Sequence, residues 1–496
     1  MFLVVMAVVV KSAWLSDDSF ITMRSVDNLL HGRGLTWNPG ERVQVFTHPL
    51  WMGVLAAWNL LLRDGYWAAM AASLTTAAAA FVLLLRALPA RGAVIVAAGA
   101  ALALSRASVD FATSGLENPL ACLLIVLMLG VDLREAAPGE EEGRRLSTLA
   151  LLTALLALTR LDLVLVALPV LAARLVAGGW RHWRGLLPAC ALFLAWEIFA
   201  VIYFGFPLPN TAYAKLGTGI PAADLMQRGL WYFEATLRRD PLTLVVLVAG
   251  LAATLWRGDM RRRLWVAGLA AYLAYVVRIG GDFMMGRFLV VPFVAAVALA
   301  APLLPSPGRR AWLAPVALAA GLLAPRNPVL APVMPPYENW FRGVADERGY
   351  YYEGTGLLAR FRPGFREHEY IDGGRRARAL METKGDAFEA VECIGFFGYY
   401  AGPRLHLIDV LALGDPFLAR LPVTTPTDAR SWRIGHFART LPDGYRETIA
   451  GGRNVIRDPA LAHLYDDVRL VTAGPLFSRA RWAAIGRLNF GERARP

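Results

Sequence analysis

The chain has 496 residues, of which 56% are hydrophobic and 18% charged, and its 51 Lys and Arg against 39 Asp and Glu give a net charge of +12. Soluble domains are roughly 45–50% apolar and about 25% charged, so this composition excludes an ordinary soluble enzyme. The basic residues form no block of like charge, which argues against a nucleic-acid partner, and three scattered cysteines exclude a disulfide framework.

Apolar runs fill the chain up to about residue 323 and are absent afterwards. Because a bilayer core needs roughly 20 apolar residues, we predict a polytopic α-helical membrane region over residues 1–324 and a soluble domain over residues 325–496. About eleven transmembrane helices are expected, centred near Met1–Leu15, Tyr66–Leu85, Ala93–Leu104, Pro119–Val131, Leu146–Leu158, Leu163–Ala173, Leu186–Phe204, Leu242–Trp256, Leu264–Val277, Phe288–Leu304 and Ala311–Leu323.

The apolar segment Pro49–Leu62 is about fourteen residues long, too short to span comfortably, and is predicted to lie at the outer interface. The Arg-rich short loops then share one side, which the positive-inside rule makes cytoplasmic. We therefore expect a multi-pass protein of the plasma or inner membrane whose chemistry and C-terminal domain are extracytoplasmic. The first apolar run lacks a positive n-region and a cleavage site, so a true first helix is preferred over a signal peptide.

Two adjacent carboxylates, Asp17 and Asp18, follow the first apolar run directly. Carboxylates at a membrane boundary have pKa values that are easily shifted, which suits a general base or charge partner. Asp is also favoured at the start of a helix, so capping of the next helix is the alternative. Both interpretations can hold together, with one Asp capping and the other catalytic.

A juxtamembrane Asp-Asp followed by an interfacial His48-Pro49 segment resembles polyprenyl-phosphate-dependent glycosyltransferases of the GT-C fold. Further motifs follow in order and cover nearly the whole chain. Together they are similar to the terminal arabinofuranosyltransferases of mycobacterial-type cell walls and to related pilin arabinosyltransferases. The motifs are TSGLENP (Thr113–Pro119), LTRLD (Leu158–Asp162), FGFPLPNTAYAK (Phe204–Lys215), RRDPLT (Arg238–Thr243), RIGGDFMMGRF (Arg278–Phe288) and the string from Phe396 to Arg420.

The resemblance implies transfer of arabinofuranose from a decaprenyl-phosphate donor, within membrane lipid, to a cell-envelope arabinan or glycoprotein acceptor. It places the catalytic carboxylate at Asp17 or Asp18, and its β-linked donor and product imply net retention. A mannosyl- or other hexosyltransferase of the same fold is the first alternative. A transporter or flippase of lipid-linked sugars is the second, although the sequence shows no internal repeat of the kind such proteins carry.

A lipid-phosphate donor needs positive charge at the outer interface to hold the phosphate and stabilise it as leaving group. Four cations are predicted there, next to the spans: Arg160, Lys215, Arg278 and Arg287. Pairing of Arg160 with Asp162 and simple snorkelling of Lys215 are the alternatives.

Four further side chains are predicted to bind substrate: His48, Glu117, Asn210 and Asp282. A helix cap competes as the role of Glu117, an ion pair with Arg287 as that of Asp282, and a structural role as that of His48. No metal-ligand spacing or nucleotide-binding Gly-rich loop is found, so no metal site and no other cofactor is predicted, and use of a divalent cation is left open.

The C-terminal region alternates short apolar runs with turns and some helical stretches, which predicts an α/β or β-rich domain. Aromatic residues cluster twice, at Tyr337, Trp340, Phe341 and Tyr350–Tyr352 and again at Phe396, Phe397, Tyr399 and Tyr400. Aromatic faces stack on sugar rings, so binding of the acceptor glycan is one interpretation and core packing is the other.

Overall fold

A computed structural model describes residues 1–134, 142–178, 180–216, 218–304, 321–323, 327–330, 341–424 and 432–491. The predicted span Ala311–Leu323 lies almost wholly outside these residues, as do Tyr337 and Trp340. The described chain is mainly helical. Its helices are α1 (Phe2–Ser12), α2 (Asp17–Leu30), α3 (Pro49–Leu62), α4 (Gly65–Ala87), α5 (Gly92–Leu104), α6 (Arg106–Asp110), α7 (Asn118–Leu133), α8 (Glu142–Ala157), α9 (Val164–Gly178), α10 (Leu187–Tyr203), α11 (Asn210–Lys215), α12 (Ala222–Arg239), α13 (Pro241–Arg257), α14 (Met260–Arg278), α15 (Val290–Ala300), α16 (Glu347–Thr355), α17 (Glu369–Lys384), α18 (Phe396–Ala401), α19 (Tyr445–Gly451), α20 (Pro459–Ala473) and α21 (Arg479–Phe490).

Three helical segments are long and apolar enough to cross a bilayer: Gly65–Ala87, Leu161–Gly178 and His182–Tyr203. A fourth span results if α12 and α13, which meet at a bend of 111°, are counted as one. The chain is thus a polytopic helical membrane protein, but the predicted count of eleven spans is not confirmed. Several predicted spans form helices well short of the roughly 20 residues that a bilayer core requires, α1 with 11 residues and α5 with 13 among them.

The chain divides into two compact units, each made of three segments. The first unit comprises Met1–Ser16, Ala69–Phe193 and Ala222–Arg366, and the second comprises Asp17–Ala68, Leu194–Pro221 and Glu367–Pro496. The predicted division at residues 324 and 325 therefore does not coincide with a boundary between these units. A separate C-terminal domain stays a prediction.

The first unit is a helical body in which α14 packs against α9 and α13 against α15. Gly268 allows the α9 contact, because a Cβ there would lie 2.1 Å from the carbonyl oxygen of Val166. Helix α16 belongs to this body, and Thr355 Oγ1 at its end donates to the carbonyl of Leu15 at 2.9 Å.

The second unit combines helices with one parallel pair of strands, β1 (Ala387–Val391) and β2 (Leu405–Asp409). Ala387 aligns with Leu405 and Val391 with Asp409, and α18 lies in the connection between the strands. In the described part of residues 325–496 these two strands lie among helices, and the α/β or β-rich character of a whole C-terminal domain stays a prediction. Part of the second aromatic cluster is core, because Phe20 packs at 4.5 Å from the ring of Phe396.

Candidate active site

Asp17, the first residue of α2, is buried and receives two backbone hydrogen bonds. Gly395 N donates to its Oδ2 at 3.0 Å and Phe396 N donates to its Oδ1 at 2.7 Å. A Cβ on Gly395 would lie 1.8 Å from the carbonyl oxygen of Asp17, so glycine is required for this approach. Asp17 therefore ties the start of α2 to the start of α18, and both of its carboxylate oxygens are engaged.

Burial raises the pKa of Asp17 to about 6. The hydrogen bond from Phe396 opposes this shift, while the neighbouring charge of Asp18 adds to it. The acidic pair thus includes one carboxylate held at an energetic cost inside the protein.

Asp18 has a different environment although it is the next residue. Its side chain is 19% exposed, and its Oδ1 lies 3.8 Å from Nε2 of His436, whose own side chain is 4% exposed. Burial, together with the positive charge of Arg433, lowers the pKa of His436 to about 4. A neutral imidazole therefore stands beside Asp18 at neutral pH.

Lys215, the last residue of α11, belongs to the same surroundings. A Cβ on Gly435, the neighbour of His436, would lie 3.1 Å from Lys215 Nζ, and the charge of Lys215 acts on the pKa of His436. The second unit thus gathers two carboxylates, two cations and one neutral histidine. Of these, Asp17, Asp18 and Lys215 were predicted from the sequence.

His436 and Arg433 were not predicted as site residues. They lie in the string Trp432–Phe437, about 420 residues after the Asp pair and outside every motif that carries the family resemblance. A lone histidine after a glycine is the whole of the sequence signal, and a lone histidine is ordinarily structural.

A second polar cluster lies in the first unit and is centred on Arg160, which is 6% exposed. Its Nη2 donates to Asp162 Oδ2 at 2.5 Å and to Tyr272 Oη at 3.1 Å, and its guanidinium lies 4.5 Å above the ring of Phe288. The pairing with Asp162 that the sequence offered as an alternative is therefore present in the structure.

Arg287 belongs to the same cluster. Its Nη2 donates to Glu117 Oε1 at 3.1 Å, and its Nη1 lies 3.5 Å from Asp282 Oδ2. Glu117 Oε1 is also 3.9 Å from Arg160 Nε, so four predicted site residues come together. Two arginines and the three carboxylates of Glu117, Asp162 and Asp282 sum to a formal charge of 2 − 3 = −1.

Three other predicted residues stand elsewhere. Arg278 is exposed at the last position of α14, and the described residues show no contact between it and the Arg160 cluster. His48 Nε2 lies 2.9 Å from Thr22 Oγ1, which links the start of α3 to α2. Asn210 Nδ2 donates to the backbone carbonyls of Ala412, Leu413 and Asp415 at 3.0, 3.0 and 3.2 Å, so its amide organises a loop.

Within the described residues, no three His, Cys, Asp or Glu side chains are grouped so as to hold a metal ion.

A polytopic helical membrane protein with an acidic pair at the start of its second helix, one carboxylate buried and the other partly exposed, is the class that fold and site define. No protein-family model matches the chain. Its sequence is 32% identical over 329 residues to the terminal β-(1→2)-arabinofuranosyltransferase of Corynebacterium glutamicum, covering 57% of this chain and 47% of that protein. The Mycobacterium tuberculosis protein of the same description is 28% identical over 335 residues, covering 58% of this chain and 52% of that protein.

These matches confirm the predicted resemblance to terminal arabinofuranosyltransferases, and the chain spans about half the length of the curated relatives it matches. Among solved structures, ArnT from Cupriavidus metallidurans bound to undecaprenyl phosphate is similar with a TM-score of 0.45 and 15% identity, over 81% of this chain and 74% of that chain. Its apo form gives a TM-score of 0.46 with 15% identity, over 95% and 90%. A likeness of this size does not extend to individual residues.

Proposed function

We propose that this chain is a membrane glycosyltransferase that moves arabinofuranose from a decaprenyl-phosphate donor to a cell-envelope arabinan or glycoprotein acceptor on the outer side of the membrane. The sequence similarity to terminal arabinofuranosyltransferases supports the reaction class. The observation that carries the assignment of the site is the contrast between Asp17, whose oxygens are held by backbone N–H groups, and Asp18, which faces His436.

Asp18 is the reacting carboxylate in this proposal, and Asp17 is a positioning residue. A buried carboxylate whose two oxygens are both held by backbone N–H groups is a weaker nucleophile and base than a partly exposed one, because reaction would have to break those bonds. Asp18 is also partly exposed, so an incoming substrate can reach it.

The resemblance implies a β-linked donor and a β-linked product, and retention requires two displacements. In the first, an Asp18 oxygen attacks the anomeric carbon, the bond from that carbon to the phosphate oxygen breaks, and decaprenyl phosphate leaves with the bonding electrons. In the second, the acceptor hydroxyl attacks the same carbon and the bond to Asp18 breaks. The hydroxyl proton passes to the neutral imidazole of His436 and from there to water.

The departing phosphate needs positive charge close to the carboxylate. Lys215 and Arg433 provide it in this proposal, since the charge of each acts on the pKa of His436. Arg160 and Arg287 stay predicted phosphate ligands, but their carboxylate partners would have to give way first. Arg278 also stays a prediction.

The test is transfer by the purified full chain, with polyprenyl-phosphoryl arabinofuranose or polyprenyl-phosphoryl mannose as donor and an arabinan oligosaccharide as acceptor. Arabinose transfer that is lost on Asp18→Asn, with a β-linked product, is the expected result. Transfer from the mannosyl donor alone would show that the transferred sugar is a hexose and not arabinofuranose. Donor binding without transfer from either donor would refute the proposed glycosyltransferase activity and favour a transporter of lipid-linked sugars.

A further inference from the structure

The second unit contains a cavity whose lining residues include neither Asp17 nor Asp18. Its volume is about 300 Å³, and it lies against β1 and β2 on one side and against α19 and α20 on the other. The side chains that give it chemical character are Glu41, Phe388, His406, Thr448, Tyr465 and Arg469. None of these residues has a role in the transfer step described above.

Glu41 is the most informative of them. Glu41 is half-buried at the wall of the cavity, and desolvation there raises the pKa of its carboxyl group to about 7. Two fully buried acids nearby are Asp409, which accepts from the backbone N–H groups of Leu411 and Gly414, and Asp415, which accepts from Tyr445 Oη at 2.7 Å. Their burial serves loop structure, whereas Glu41 lines the cavity with acceptor capacity beyond its hydrogen bond to Asn38.

The remaining walls supply hydrogen-bond donors, hydrogen-bond acceptors and an aromatic surface. Burial lowers the pKa of His406 to about 4, so it presents a neutral imidazole. Tyr465 is fixed by its neighbours, with ring centroids 5.5 Å from Phe417 and 5.9 Å from Tyr445. Arg469 is held by a hydrogen bond of 2.6 Å to the carbonyl of Gly452 and leaves further N–H donors for a ligand.

This composition selects among ligand classes. An anion such as a phosphate would face the carboxylates of Glu41 and Asp386 with Arg469 as the single lining arginine. An apolar ligand would strip water from charged walls without replacing its hydrogen bonds. A neutral polyol ring offers hydroxyl donors for Glu41 and His406, acceptors for Arg469 and a C–H face for an aromatic ring.

We propose that this cavity is a binding subsite for a short segment of neutral saccharide, with Glu41, His406 and Arg469 as its polar contacts and Tyr465 as its aromatic wall. The inference rests on the proposed function in one respect: the saccharide is taken to be a remote part of the acceptor glycan. Binding energy gained there would raise acceptor affinity without touching the reacting atoms.

The direct test measures binding rather than turnover. The full chain carrying Asp18→Asn, in detergent, is titrated with a long arabinan oligosaccharide, and contact is read by saturation-transfer NMR and calorimetry. Glu41→Gln and Arg469→Gln are each expected to raise Kd by about tenfold or more, since hydrogen bonds to charged groups are stronger than those between neutral groups. Glu389→Gln is the matched control, because Glu389 is exposed and lies one residue along β1 from Phe388, on the opposite face.

The kinetic test separates this subsite from the reaction site. In the otherwise unmodified chain, Glu41→Gln is expected to raise the acceptor KM about tenfold for the long oligosaccharide and to leave kcat, and the KM of a single-ring acceptor, unchanged. Equal loss for both acceptors, or wild-type Kd for both cavity variants, would overturn the subsite. Neutral oligosaccharide binding that depends on Glu41 in a chain without arabinosyl transfer would support the subsite and refute the proposed function alone.

Discussion

Replacement of Asp18 by Asn separates catalysis from folding. The side chain of Asp18 is 19% exposed, and its contact with His436 spans 3.8 Å. A polar contact with this exposure and a neutral imidazole is worth about 1 kcal/mol or less, so the free energy of unfolding is expected to change by no more than that. Asn also keeps the shape of the side chain.

The effect on the reaction is expected to be much larger. Loss of a base alone costs about 10²–10⁴ in rate, which corresponds to about 3–5 kcal/mol of barrier, and loss of a nucleophile costs at least as much. The barrier therefore changes several times more than the stability. This ratio is the signature of a residue that touches the reacting atoms.

The assay compares initial rates of arabinose transfer at saturating donor with the unfolding curve followed by tryptophan fluorescence, for wild type, Asp18→Asn and Asp17→Asn. Asp17→Asn is the matched control, and we expect it to retain more activity because one amide oxygen can still accept from Gly395 or Phe396. Transfer by Asp18→Asn within threefold of wild type would refute the assignment. So would a greater kcat loss in Asp17→Asn at unchanged stability.

The remaining predictions concern stability and use the same unfolding assay. Between pH 4 and 6.5, His436 binds fewer protons in the native state than in the unfolded state, so its contribution to the free energy of unfolding rises with pH by about 3 kcal/mol in total. His436→Gln should lack this rise. The same pH dependence of stability in His436→Gln as in wild type would contradict the prediction. Asp17 has the opposite sign: its pKa is raised to about 6, so its contribution falls by about 3 kcal/mol as pH rises from 3.8 to 6, and Asp17→Asn should remove that fall; a variant that keeps it contradicts the assignment. Gly395→Ala is expected to lower the free energy of unfolding by about 1–3 kcal/mol, because its Cβ clashes with Asp17. The control is Gly486→Ala, whose Cβ meets nothing within 4 Å and which should raise the free energy of unfolding by up to about 1 kcal/mol. Equal effects of the two variants would show that the structure relaxes to remove the clash. Asn210→Ala should cost about 1–3 kcal/mol by leaving loop carbonyls unpaired and should not alter donor KM, and a donor KM raised tenfold at wild-type stability would instead restore the predicted substrate contact.

Local signals in the sequence were sufficient for part of the site. The Asp pair follows an apolar run, so its place just after the first helix can be predicted from neighbouring residues alone. The ion pair of Arg160 with Asp162 has the same origin, since the partners are two residues apart. Periodicity and composition likewise predict a helical membrane protein.

Long-range contacts decide the remaining features, and no local pattern encodes them. Asn210 has the appearance of a substrate ligand in its motif, but its amide is used by carbonyls about 200 residues later. His436 can be recognised as a site residue only in the folded chain, because folding brings it to 3.8 Å from Asp18. The number of membrane spans depends on the lengths of the helices. Apolar composition predicts that a helix forms more reliably than it predicts the residue at which the helix ends.

The difference between Asp17 and Asp18 shows how the fold gives two identical side chains different chemistry. Successive residues of an α-helix point about 100° apart, so adjacent carboxylates at the start of α2 cannot share an environment. One direction leads to the backbone N–H groups that precede α18, and the other leads to a neutral imidazole at a partly exposed position. The fixed carboxylate also raises the cost of a second negative charge beside it, since each acid disfavours ionisation of the other. The positive charge of Arg433 offsets part of that cost at Asp17, while the partly exposed Asp18 is the carboxylate that a sugar can reach.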